Sequence, residues 1–121
     1  MSTVIDLKDK LSQFDSQWTP HIIAELNEQY VKLAKLQGEF MWHSHEGEDE
    51  LFMVLKGTLF LELENETIEL NEGQMYVVPR GIPHRPYTGD EEVHVMLFEP
   101  AETKHTGDKI TTRTVQREIF I

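Results

Sequence analysis

The sequence predicts an all-β fold, a sandwich or a barrel, formed by one domain of 121 residues. Three observations point there. Short apolar stretches with period-two alternation recur from about Trp18 onward, at intervals of roughly 8–12 residues. Turn-forming residues punctuate those intervals, as at Lys56-Gly57, Asn71-Glu72-Gly73 and Pro79-Arg80-Gly81. No repeat of solenoid period, no low-complexity tract and no linker divides the chain. An apolar fraction of 39%, with six Phe, three Tyr and two Trp, is enough to bury a core without disulfide staples.

In chain order, Val4, Leu7, Leu11 and Phe14 recur at three- and four-residue spacings and predict a short amphipathic helix over about residues 3–15. Ser2 or Thr3 would serve as its N-cap. Such an element reads as a lid or a partner-facing arm. Residues 30–36 (YVKLAKL) predict a strand. Residues 50–55 (ELFMVL) end at Lys56-Gly57 and residues 58–63 (TLFLEL) follow at once, which predicts a hairpin with Gly57 taking the positive φ of its turn. Residues 66–70, Met75–Val78 and Val93–Phe98 continue the series. The segment 101–121, with β-prone Ile110 to Val115, predicts an edge strand. In ELFMVL both alternating faces are apolar, so both are expected to be covered.

Charge and composition exclude several functions. With 22 acidic against 11 basic residues the formal net charge is −11, which disfavours both nucleic acid and anionic membrane surfaces. The longest apolar run, Leu51 to Leu55, is far too short to cross a bilayer. Charged residues scattered from Asp6 to Asp15 leave no secretory h-region. The absence of cysteine removes disulfides, thiolate metal sites and a cysteine nucleophile, and suits a cytoplasmic protein.

The chemistry gathers between positions 43 and 84. His43 and His45, one residue apart on an extended segment, point to the same face and can reach one ion. Glu50 follows after the loop Glu46-Gly47-Glu48-Asp49, and His84 comes just past Pro79-Arg80-Gly81-Ile82-Pro83. Three imidazoles and one carboxylate suit a single divalent transition metal ion, whether Fe, Mn, Ni, Co, Cu or Zn. In a six-coordinate ion four protein ligands leave two positions for water, substrate or oxygen.

These residues closely resemble the two sequence motifs of the cupin family. His43-Ser44-His45, four residues, Glu50, six residues and Gly57 reproduce the first, and Gly73, Pro79, Gly81 and His84 match the second at every spacing. The leading glycine, Gly38, stands one residue closer to the first His than the pattern asks, and Thr88 replaces the terminal Asn. The resemblance covers about residues 30–100. It implies a jelly-roll barrel, a double-stranded β-helix, with His43, His45, Glu50 and His84 holding the metal inside it. It also implies a small-molecule substrate or ligand and a homodimer.

Around that set each further residue carries two readings. Glu46, Glu48 and Asp49 read as solvated loop, with Glu48 a conceivable substitute for Glu50. If Glu50 faces inward, Phe52 and Val54 share its face and line the cavity; Phe40 and Met75 are further lining candidates. His94, with Met96 and Phe98 on its side of the strand, is the candidate catalytic proton shuttle or else a core histidine. Arg80 and Arg85 would hold a substrate carboxylate or phosphate, with Tyr87 orienting a ligand oxygen. Alternatively the two arginines pair with acids such as Asp90, Glu91 and Glu92. Trp42 points away from the metal, and His21 and His105 read as surface or structural. The expected function is a metal-dependent dioxygenase, or a Lewis-acid isomerase or decarboxylase. A mannose-6-phosphate isomerase label fits the resemblance, but no phosphate motif accompanies it. The alternative is a non-catalytic metabolite-binding or sensing module.

Overall fold

The computed structural model describes residues 3–101 and 118–121. Two sheets face each other as a jelly roll. Nine strands are described: β1 (His21–Leu26), β2 (Gln29–Leu36), β3 (Glu50–Lys56), β4 (Leu59–Glu62), β5 (Thr67–Leu70), β6 (Met75–Val78), β7 (Arg85–Thr88), β8 (Val93–Pro100) and β9 (Ile119–Phe120). Six form one sheet in the order β6-β3-β8-β2-β1-β9, and three form the other in the order β5-β4-β7. Among the described residues no helix is long and apolar enough to cross a membrane.

Alternation decides which side chains enter the barrel. On β3 the inward set is Glu50, Phe52 and Val54; on β8 it is Val93, Val95, Leu97 and Glu99; on β4 it is Leu59 and Leu61. These apolar residues meet Ala34, Leu36, Leu70 and Val78 in one core between the sheets. Complete burial of a side chain such as Leu59 or Leu61 contributes roughly 2 kcal/mol.

Part of the outer face of the six-stranded sheet is covered as well. Phe14, Ile23 and Leu33 form a second cluster there with Leu7, Leu11, Leu55 and Met96. Lys35 fixes that cover, since its buried ammonium donates to Leu11 O at 2.7 Å and to Phe14 O at 2.6 Å. The covering helix, α1, spans only Leu7–Leu11, shorter than the sequence suggests. Asp6 caps it by accepting from the Lys8 and Asp9 amides, so Thr3 is not the cap and Val4 is exposed, while Ser2 lies outside the described residues.

Two expectations change. Residues 50–56 and 59–62 do not pair as a hairpin. At Gly57, with φ +86°, the chain crosses from one sheet to the other, and β4 pairs instead with β5 and β7. Strands β1 and β7 had no clear signal in the sequence. β7 contains Pro86, which an edge strand tolerates because its missing N–H interrupts no central ladder. Within the segment 101–121, β9 forms an edge strand beside β1, whereas β-prone Ile110 to Val115 lies outside the described residues.

Candidate metal centre

His43 and His45 lie on an irregular extended segment rather than a regular strand, and β7 with the turn before it determines their position. The pairing runs as a zipper. Thr88 N–H donates to Gly38 O, Phe40 N–H to Pro86 O, and His43 and His84 exchange both backbone hydrogen bonds at 3.0 and 2.9 Å. Gly81 N–H then donates to His45 O at 2.7 Å. The turn Pro79 to Ile82, closed by Ile82 N–H to Pro79 O, needs a left-handed residue at its third position, and Gly81 supplies it with φ +79°. Asp49 clamps that turn to the start of β3 by accepting from Arg80 N–H at 2.9 Å. The two motifs, far apart in sequence, are thereby held against each other with Glu50 between them.

One ligand atom from each of His43, His45, Glu50 and His84 lies within 4.8 Å of the others, and all four residues are buried. Glu50 Oε1 sits 3.3 Å from both His45 Nε2 and His84 Nε2. Each imidazole is oriented through its other nitrogen: His43 Nδ1–H donates to Met41 O and His84 Nδ1–H to Ile82 O, both at 3.0 Å, while His45 Nδ1 lies 3.6 Å from Glu48. His84 Nε2 and His45 Nε2 thus converge on the same Glu50 oxygen. The all-nitrogen-and-oxygen donor set fits a divalent transition metal ion.

The electrostatics agree. Burial, together with the neighbouring His84, lowers His43 to about 4, so at neutral pH it is uncharged and ready to ligate. Burial alone would raise Glu50. Its hydrogen bonds with His45 and His84 and the attraction of His45 outweigh that and hold it well below the usual carboxylate range.

Two further buried charges escaped sequence reasoning. Glu99 on β8 stands across from Glu50 on β3, one step along the ladder from the Leu51–Phe98 pair, and Lys32 on β2 reaches Glu99 Oε1 at 3.0 Å. Glu99 is 1% exposed and Lys32 4%. Burial, then the charge of Glu50 and the hydrogen bond shared with it, holds Glu99 well above the usual range, so Glu99 keeps the proton between the two carboxyls. The available signal was phase: Lys32 alternates with Ala34 and Leu36, and Glu99 with Val95 and Leu97.

Beside the cluster lies a pocket with about 360 Å³ of space free of protein atoms, its mouth included. Phe52 and Phe40 line it as expected, while Val54 is packed in the core. The other candidates are not brought to it. His94 falls in the outward phase of β8 and pairs with Glu92 at 3.0 Å, so the expected shuttle does not face the His43–His45–Glu50–His84 cluster. Arg85 points out from β7 to Glu62 at 2.8 Å and Glu39 at 3.1 Å, and Tyr87 stacks on Phe60. Arg80 is largely exposed beside Asp49. Ion pairing thus accounts for both arginines, with acids other than the three expected. Met75 is 61% exposed on the outer face, away from the residues that line this pocket.

The comparisons with known proteins agree with this geometry. The Cupin domain model matches residues 29–99. The uncharacterized protein YdbB of Bacillus subtilis (strain 168) is 36% identical over 81 residues, which are 66% of this chain; the chain spans just under two thirds of that curated relative, also 66%. Among solved structures, a cupin-2 domain containing protein from Shewanella frigidimarina is 44% identical, with a TM-score of 0.78 over 80% of this chain and 94% of that one. Protein NMB1881 from Neisseria meningitidis is 28% identical, with a TM-score of 0.73 over 81% of this chain and 99% of that one. The family model covers more than half of the sequence, and the chain belongs to the cupin family.

Proposed function

We propose that this cupin is an enzyme acting on a small organic molecule at a mononuclear centre held by His43, His45, Glu50 and His84. One observation carries the reading: four buried donors converge within 4.8 Å beside a pocket that His43 and Glu50 help to line. A divalent ion bound there would supply Lewis acidity, or oxygen activation if it is iron, at positions the protein leaves open. The chain's own residues orient the imidazoles through Met41, Ile82 and Glu48 and exclude bulk water with an apolar wall.

Between the two reaction types, oxygen-dependent oxidation is favoured over isomerisation or decarboxylation. Among the described residues lining the pocket, only His43 and Glu50 can move a proton, and both are committed as ligands. The same observation gives weight to a second reading, a metabolite-binding or sensing module without turnover. Oxygen uptake by the iron(II)-loaded protein across a panel of small organic molecules tests the choice. Substrate-dependent uptake supports the oxygenase; ligand-induced thermal stabilisation with no uptake and no product supports the sensor.

We also propose a cytoplasmic homodimer. Met75 and Val77 on β6, the last strand of its sheet, expose 61% and 45% of their surface and share their outward face with Leu51 and Met53. Sedimentation equilibrium gives the mass, and a monomer at micromolar concentration would remove this proposal.

A further inference from the structure

The pocket wall carries a chemical selectivity. Of the eleven described residues that line it, nine are apolar and the other two are the proposed ligands His43 and Glu50. No cation lines it. Arg85 is engaged by Glu62 and Glu39 on the outer side, Arg80 lies beside Asp49, and the ammonium of Lys32 is held by Glu99. An anionic headgroup would therefore enter an apolar space with no counter-charge except the metal, within a chain of net charge −11.

The wall is also aromatic in a particular order. Trp18 stacks on Phe40 with centroids 4.8 Å apart and planes 13° apart, and Phe40 meets the ligand His43 edge-on at 5.5 Å. Phe52 approaches the ligand His84 at 6.1 Å in the same edge-on manner. Aromatic surface thus extends from Trp18 to the imidazoles, and Phe52 backs a second imidazole.

Trp18 is held there at a cost. Its φ of 56° lies in the left-handed region that a bulky residue rarely adopts. Two bonds offset the strain: its backbone N–H donates to Lys35 O at 2.9 Å, and its indole Nε1–H donates to Gln37 O at 3.0 Å. The indole N–H is thereby spent on the protein, so Trp18 presents its apolar ring and no hydrogen-bond donor to the pocket.

We propose that the pocket takes a small, uncharged, largely apolar molecule, an aromatic ring above all, that presents an oxygen donor toward the His43–Glu50 end, with Trp18 and Phe40 as its specificity-determining wall. Sugar phosphates and other anions are excluded. This occupant rests on the metal-bearing reading proposed above, because the oxygen needs a partner and the wall offers no donor of its own.

The full-length protein loaded with one equivalent of Zn²⁺ is titrated with 4-methylphenol, toluene and mannose 6-phosphate, followed by calorimetry. The fluorescence of Trp18 is followed in parallel in a Trp42→Phe background, where it is the single tryptophan. The expected result is saturable binding of 4-methylphenol with quenching of Trp18, at least tenfold weaker binding of toluene, and none of mannose 6-phosphate. Trp18→Ala should weaken 4-methylphenol about tenfold, and Trp18→Phe should restore most of it while zinc stoichiometry stays unchanged. Mannose 6-phosphate binding as tightly as 4-methylphenol overturns the proposal, as does a zinc-loaded protein that binds no 4-methylphenol; in both cases the metal centre stands. A protein that takes up no zinc removes the metal reading instead. The oxygen-directed part of the proposal falls with it, whatever the apolar wall retains.

Discussion

Replacing His43 by Asn in the metal-free protein tests the electrostatics of the site through folding stability alone. Asn keeps an N–H able to reach Met41 O, which His43 Nδ1 now contacts at 3.0 Å, but it cannot take up a proton. In the folded chain His43 protonates only near 4, against 6.5 for an ordinary histidine, because burial and His84 disfavour its charge. Between those values the unfolded chain holds the proton more often than the folded one, so stability falls as the pH falls. The gap, at about 1.4 kcal/mol per pH unit, amounts to about 3 kcal/mol, absent at pH 7 and complete below pH 4. At 4% exposure, solvent screens little of it. Glu50, whose carboxylate is also favoured by folding, loses stability on acidification in both proteins, so the difference between them isolates His43. Urea unfolding of the EDTA-treated proteins, stepped from about pH 7 to about pH 4.5, should give a wild-type loss larger by about 2–3 kcal/mol than that of His43→Asn. Parallel pH profiles for the two proteins would refute the reasoning.

Glu99→Leu leaves the buried Lys32 ammonium without its nearer oxygen partner, with Glu118 still at 3.4 Å, and should destabilise the metal-free protein by about 2 kcal/mol, while Glu99→Leu combined with Lys32→Met should recover most of that; chemical denaturation of the single and double variants measures both. Gly57→Ala should cost at least about 1 kcal/mol in the same assay, because φ is +86° and an added Cβ would stand 3.1 Å from Val93 Cγ2. His94→Ala should change zinc affinity by less than about twofold and stability by less than about 1 kcal/mol, since its contact is the partly exposed Glu92 on the outer side of β8.

How much of this was legible in the sequence depended on what each signal encodes. Motif spacing pointed to all four members of the cluster because the constraint is local: the Pro79–Gly81 turn aims His84, and one intervening residue puts His43 and His45 on one side even without a regular strand. The phase of β8 was harder to read. Val93–Phe98 is apolar on both faces because the barrel core covers one side and Met96 packs into the cluster with α1 on the other. His94 could therefore be placed inside by pattern alone, and only Glu99, in the opposite phase, marks the inward side. The turn at Gly57 misled for a similar reason. A positive φ after a strand serves a hairpin and a sheet-to-sheet corner equally, and long-range pairing of β3 with β6 and β8 chooses between them. The arginines near the second motif were legible as charges but not as vectors, since Pro86 and Thr88 take the inward phase of β7 and leave Arg85 and Tyr87 outside.

Metal content bears most directly on the whole reading. Protein purified from its native host, and apoprotein titrated with Fe(II), Mn(II) and Zn(II), should bind about one divalent ion per chain. His84→Ala should lose about 100-fold or more in affinity while keeping a cooperative unfolding transition. A folded wild-type protein that takes up no divalent ion at micromolar levels would contradict the site, as would a His84→Ala variant that still holds one ion per chain.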